Sequence, residues 1–166
     1  MELEVLINCI NLNNNKWANN DTTNCYAFAL GLDIPQEDIC RCAYDIGTMY
    51  YFYSKAKRSY MHHDELLQLD FKILKLVYHE ADIYEPIKEN EWKIAYFDTI
   101  YECGFHFFRQ TENGVWWHKY DFGYPPTCLD DDNNIITAPT NCHINYRGLE
   151  YQKCYILKKS QEKLLY

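Results

Sequence analysis

A chain of 166 residues is long enough for one domain that buries about two-thirds of its unfolded surface in a single core. Hydrophobic residues make up 48% of it and aromatics 17%, which excludes a disordered chain. The net charge of -8, from 16 Lys plus Arg against 24 Asp plus Glu with no basic stripe, argues against a nucleic-acid partner, and no window approaches the ~18 apolar residues of a membrane span.

Taken in chain order, residues 1–10 read as a first strand and residues 11–24 as an asparagine-heavy loop anchored by Trp17. Cys25 to Leu30 reads as a short helix, because it follows a run of N-capping residues, Thr22-Thr23-Asn24, and stops at Gly31. Pro35-Gln36-Glu37-Asp38 starts a second helix that continues over 39–57 through the aromatic run Tyr50-Tyr51-Phe52-Tyr53. His62-His63-Asp64-Glu65 opens a third, with Leu66, Leu67, Leu69, Ile73, Leu74, Leu76 and Val77 near helical spacing as far as residue 81. After Pro86 the pattern turns to strands at 92–99, 105–110, 115–120 and 152–158. Thr111-Glu112-Asn113-Gly114 is a hairpin turn between the second and third of these. Residues 121–148 lack periodicity and form a long irregular segment of the kind that tends to carry function. Helices first and an antiparallel sheet second is the order of an α+β fold in one domain, residues 1–166.

Three residues carry the chemistry. A cysteine at the first position of a helix feels the positive end of the helix dipole, which favours the reactive thiolate. His106 and His118 stand twelve residues apart across the hairpin, so a register exists in which both side chains share one face about a strand spacing apart. One imidazole can then take the thiol proton while the other orients it. Each has a plainer structural reading as well: Cys25 as a small buried hydrophobe, His106 as a core histidine bonded to backbone, His118 as the end of a hairpin.

In these features the chain resembles papain-like cysteine hydrolases, and most nearly the NlpC-type peptidases and CHAP amidases. It shares a cysteine at a helix start, a histidine on a later strand and a polar residue on the next. It also looks like a group of bacterial domains of unassigned activity with Asn-Cys-Tyr-Ala-x-Ala, His-Phe-x-Arg-Gln and Trp-x-His-Lys segments followed by Leu-Asp, here Leu129-Asp130. The resemblance spans roughly residues 24–158. It implies a papain-like fold, Cys25 as nucleophile, His106 as base, His118 as orienting group, a peptide or protein substrate and no cofactor. Asn24 replaces the usual Asp or Ser before the cysteine, and Phe107-Phe108-Arg109 replaces the usual glycine-rich stretch, so substrate specificity does not transfer. A second oxyanion donor is expected from residues 13–20, and Asp130 is a weaker candidate for a second orienting group.

Metal readings fit less well. Counted from Asp130, the sixth position of an EF-hand loop would be Ile135 and the twelfth Asn141, where glycine and glutamate are needed. Cys40, Cys42, His62, His63, Cys142 and His143 are ligand types without paired zinc-knuckle spacing. The acidic opening Met1-Glu2-Leu3-Glu4 and the short apolar run after it carry no secretory signal. The expectation is therefore a cytoplasmic protein, or one delivered as a toxin, effector or phage protein, with its eight cysteines mostly reduced. The rival from another class is a non-catalytic protein-binding module with a packed cysteine and an aromatic hairpin.

Overall fold

The computed structural model describes residues 3–8, 10–13, 23–32, 45–54, 61–99, 104–120, 123–145 and 148–160. Among them, helices α1 (Leu3–Asn8), α2 (Cys25–Leu30), α3 (Thr48–Ser54) and α4 (His63–Ile73) precede strands β1 (Leu76–Glu80), β2 (Glu91–Thr99), β3 (Phe105–Gln110), β4 (Trp116–His118) and β5 (Leu149–Lys159). The strands form one antiparallel sheet in the order β1-β5-β2-β3-β4, and the fold is α+β.

Two expectations are corrected. The first strand is a helix, α1, whose Leu3 packs on the core; a short apolar run does not distinguish the two periods. Beyond α1 the chain leaves a single bridge, Ile10 to Leu32, where a full strand was expected. The third helix ends at Ile73, short of residue 81: Leu74 closes it, Lys75 takes a φ of 53°, and the next five residues become β1. β5, eleven residues long, offers an edge along which Leu76 to Glu80 pair with Lys159 to Tyr155, and this ladder outweighs helical spacing that was only approximate. Of the helix expected over 35–57, the structure describes α3 alone; residues 35–44 and 55–57 lie outside the described residues.

The hairpin forms where the sequence puts it, but not through a mirror-image turn. Gly114 alone takes a positive φ, 76°, and its N–H bonds to the Thr111 carbonyl at 2.9 Å, the pattern of a type I turn closed by a left-handed glycine. Strand alternation then divides the sheet into two cores. On one face Trp92, Ile94, Tyr96, Phe107 and Tyr155 pack under α2 and α4. On the other Ala95, Phe97, Phe108, Trp116 and Cys154 pack under the long segment after β4, through Ile136, Cys142 and Ile144.

Candidate active site

Asn24 places the cysteine. Its side-chain oxygen accepts from the Ala27 N–H and its carbonyl from the Phe28 N–H, both at 3.1 Å, so Cys25 is the first helical residue. Six residues make a helix too short to stand alone, and all six are buried. Its last carbonyls are taken by groups outside it. The Arg109 guanidinium donates to the Phe28 carbonyl at 2.5 Å with its carbon 3.9 Å from the Phe28 ring centre, and Trp92 Nε1–H donates to the Ala29 carbonyl at 3.1 Å. Gly31 turns the chain away with a φ of 74°, and a Cβ there would stand 3.0 Å from the Asn11 carbonyl oxygen.

Asp70 of α4 ties the same helix to α3. It accepts from the Tyr26 hydroxyl at 2.6 Å and from the Gly47 and Tyr50 N–H groups at 2.7 Å each. Burial raises its carboxyl to about 6 in spite of these bonds, and burial alone pushes Arg109 down to about 9. Neither residue was read from the sequence as part of the site. The His-Phe-x-Arg-Gln segment was the one available signal for Arg109.

The two histidines meet as expected. His106 Nε2 and His118 Nδ1 are 3.0 Å apart, and His118 Nε2 lies 3.2 Å from the carbonyl oxygen of Leu129. A carbonyl only accepts, so Nε2 of neutral His118 carries the hydrogen and its Nδ1 carries the lone pair. His106 must then donate from Nε2, which puts the lone pair of its own ring on Nδ1. Both imidazoles are at most 1% exposed, and burial lowers both pKa values, that of His106 far below 6.5 with His118 adding to the effect. The pair is neutral at neutral pH. Phe108 and Tyr120 pack around it, with Tyr120 4.6 Å from the His118 ring.

The thiol stands in a different relation to this pair. Phe105, Phe107 and Arg109 turn toward α2, where Tyr26 meets both phenylalanine rings, whereas His106 and Phe108 project from the opposite face. Cys25 Sγ reaches β3 at its edge, 3.9 Å from the Phe105 carbonyl oxygen, one residue before His106. Carbonyls alternate along a strand: that of Gly104 accepts from Thr99 on the β2 side, so that of Phe105 turns to the β4 side. The β3–β4 ladder runs only from Gln110↔Trp116 to Phe108↔His118, which leaves residues 105–107 beyond it. The structure therefore joins His106 to His118 directly and sets Cys25 against the main chain at the uncovered end of the same strand.

Other candidates fall elsewhere. Asp130 does not orient His118; its carboxylate accepts from the Asp132, Asn134 and His143 N–H groups, which fold its own loop and lower its pKa. The carbonyl beside it, that of Leu129, is the group that holds His118. Of residues 13–20, expected to supply the second oxyanion donor, Asn13 gives its N–H to Asn11 Oδ1 at 2.9 Å and residues 14–20 lie outside the described residues. Trp116 is buried in the second core, and Trp117 is half-buried. Cys25, Cys128, Cys142 and Cys154 are thiols; the other cysteines lie outside the described residues. Among the described residues no three metal-ligating side chains converge, and no helix is long and apolar enough to cross a membrane.

Compared with known proteins, the chain matches no family model, no curated protein and no solved structure.

Proposed function

We propose that the protein is a papain-like cysteine hydrolase, a peptidase, amidase or deamidase acting on an amide of a peptide or protein substrate. The observation that carries the reading is the chain Leu129 carbonyl, His118, His106, in which each hydrogen bond fixes the next tautomer and leaves His106 Nδ1 as the proton acceptor. For this, Cys25 Sγ, which rests on the Phe105 carbonyl, must turn past the uncovered end of β3 and give its proton to that nitrogen, after which the thiolate attacks the amide carbon. The oxyanion is held by the Cys25 N–H, one of the first-turn donors that an α-helix leaves to acceptors outside it. His106 returns the proton to the departing amine, and water releases the thioester.

The test is the rate at which iodoacetamide labels each cysteine at neutral pH, read by mass spectrometry. Cys25 should label far faster than the other thiols, and Cys25→Ala should abolish activity on any amide or ester substrate found. Uniform labelling, or a Cys25→Ala protein with full activity, overturns the reading.

The binding-module alternative is favoured by two observations: Cys25 is only 5% exposed, and the histidine rings project from the face opposite α2. The same labelling experiment decides between them, because a cysteine packed as a hydrophobe has no reason to outpace its neighbours.

A further inference from the structure

A cavity of about 300 Å3 opens on the face of the sheet that carries the second core, near the Asn113-Gly114 turn. Its floor is a row across three strands: Lys93 of β2 pairs with Gln110 of β3, and Gln110 with Trp116 of β4, so the three side chains share one face. Residues 83–87, which join β1 to β2, and Glu112 of the hairpin turn complete its walls.

Lys93 is the unusual member. It is 1% exposed, and a lysine is almost never buried so far without a charge partner. Its ammonium donates to the Ile83 carbonyl at 2.9 Å and to the Glu85 carbonyl, and it stands 5.7 Å from the centre of the Trp116 ring. Among the described residues no carboxylate comes within ion-pair distance of it. Burial lowers its pKa, and Cys154, Glu85 and Asp82 oppose that only from farther away. An ammonium has three N–H donors, of which carbonyls take two. The third is left to what occupies the cavity that Ile83, Glu85 and Trp116 line with it.

The mouth has the opposite sign. Glu112 is exposed, and Glu85, whose carboxylate lies 3.1 Å from His79 Nε2, is held below the usual carboxylate value by that contact. A simple anion would have to pass two carboxylates to reach the floor, and a simple cation would be repelled by Lys93. A zwitterion suits both ends. We propose that this cavity binds a free α-amino acid with an apolar side chain, its carboxylate on the Lys93 ammonium, its own ammonium toward Glu85 and Glu112, and its side chain against Trp116 and Ile83. The site stands apart from Cys25 and the histidine pair and does not depend on the hydrolase reading.

The experiment is calorimetric titration of the full chain with L-phenylalanine, L-leucine, L-phenylalaninamide and N-acetyl-L-phenylalanine. The two free amino acids should bind saturably at one site, and each blocked form, which lacks one of the two charged contacts, should bind more weakly than L-phenylalanine by about tenfold or more. Lys93→Met keeps the buried stem and should lose at least about the same factor for L-phenylalanine, with a cooperative urea transition as the check that it is folded. Glu112→Gln, at an exposed turn position, should weaken L-phenylalanine several-fold and leave N-acetyl-L-phenylalanine unchanged. Absence of saturable binding of both amino acids up to about 10 mM overturns the proposal. Equal affinity for L-phenylalanine and its amide does so too, as does a folded Lys93→Met protein that binds L-phenylalanine like the parent. Should Lys93→Met not fold, the blocked ligands and Glu112→Gln decide.

Discussion

His118 uses both of its ring nitrogens, accepting from His106 through one and donating to the Leu129 carbonyl through the other. A side chain that offers one acceptor and one donor at similar reach should keep the site working, and one that offers neither should not. His118→Gln is therefore expected to retain most of the iodoacetamide reactivity of Cys25. His118→Phe, which fills the same space, should lose at least about tenfold, less than the ~10²–10⁴-fold that a positioned general base contributes because His106 itself remains. Equal loss in both variants would mean that packing, not the tautomer, is what His118 supplies. The side-chain half of this arrangement was legible in the sequence, because residue type and a twelve-residue spacing across an Asn-Gly turn define it. The Leu129 carbonyl was not, since every residue carries one and only the folded loop shows which of them faces a ring. Strand parity already separates His106 from Phe105 and Phe107, but it takes the packing of Tyr26 to show which parity faces α2.

At the scale of elements, three short helices owe their placement to one buried carboxylate. Asp70 on α4 receives donors from α2 and from the start of α3, and each bond replaces water for a group that burial has already dehydrated. Asp70→Asn keeps the volume but puts an NH2 group where two backbone N–H donors converge on carboxylate oxygens. At least one of those donors loses its acceptor, a cost of about 1–3 kcal/mol for each. The variant should unfold at lower urea concentration by about that amount, with an unchanged dependence on denaturant, and its Cys25 should label more like the other thiols as α2 loosens. No loss of stability would show that the network is not holding the helices. This residue was hidden in the sequence as one aspartate within a helix of mixed polarity, where solvation is the ordinary fate. α4 itself was legible from its acidic first turn and apolar spacing; its end was not, because the ladder with β5 that converts Leu76–Glu80 to strand is made with residues 75 or more positions away.

For the whole molecule, acid sets two buried systems against each other. The folded state keeps His106 and His118 neutral, with pKa values lowered from 6.5 by burial, whereas in the unfolded chain both take up protons as pH falls past that value. Unfolding is then favoured by acid, and the stability present above pH 6.5 is lost as pH drops. Asp70 works in the opposite sense: its folded value near 6 exceeds the ordinary 3.8, so between these values the folded state holds a proton that the unfolded chain releases, and acid favours folding. Near pH 5 the histidine pair takes up protons on unfolding, whereas Asp70 gives one off. The two contributions have opposite sign, and stability falls with acid where the histidine pair takes up more protons on unfolding than Asp70 gives off. Removing the opposing carboxyl with Asp70→Asn should steepen the fall of stability toward acid, although the variant starts from a lower value at pH 7. Urea midpoints at pH 7, 6 and 5 measure both slopes. A parent protein equally or more stable at pH 5 than at pH 7 would mean that the two imidazoles are not held neutral, and with that the proton acceptor on His106 would be lost.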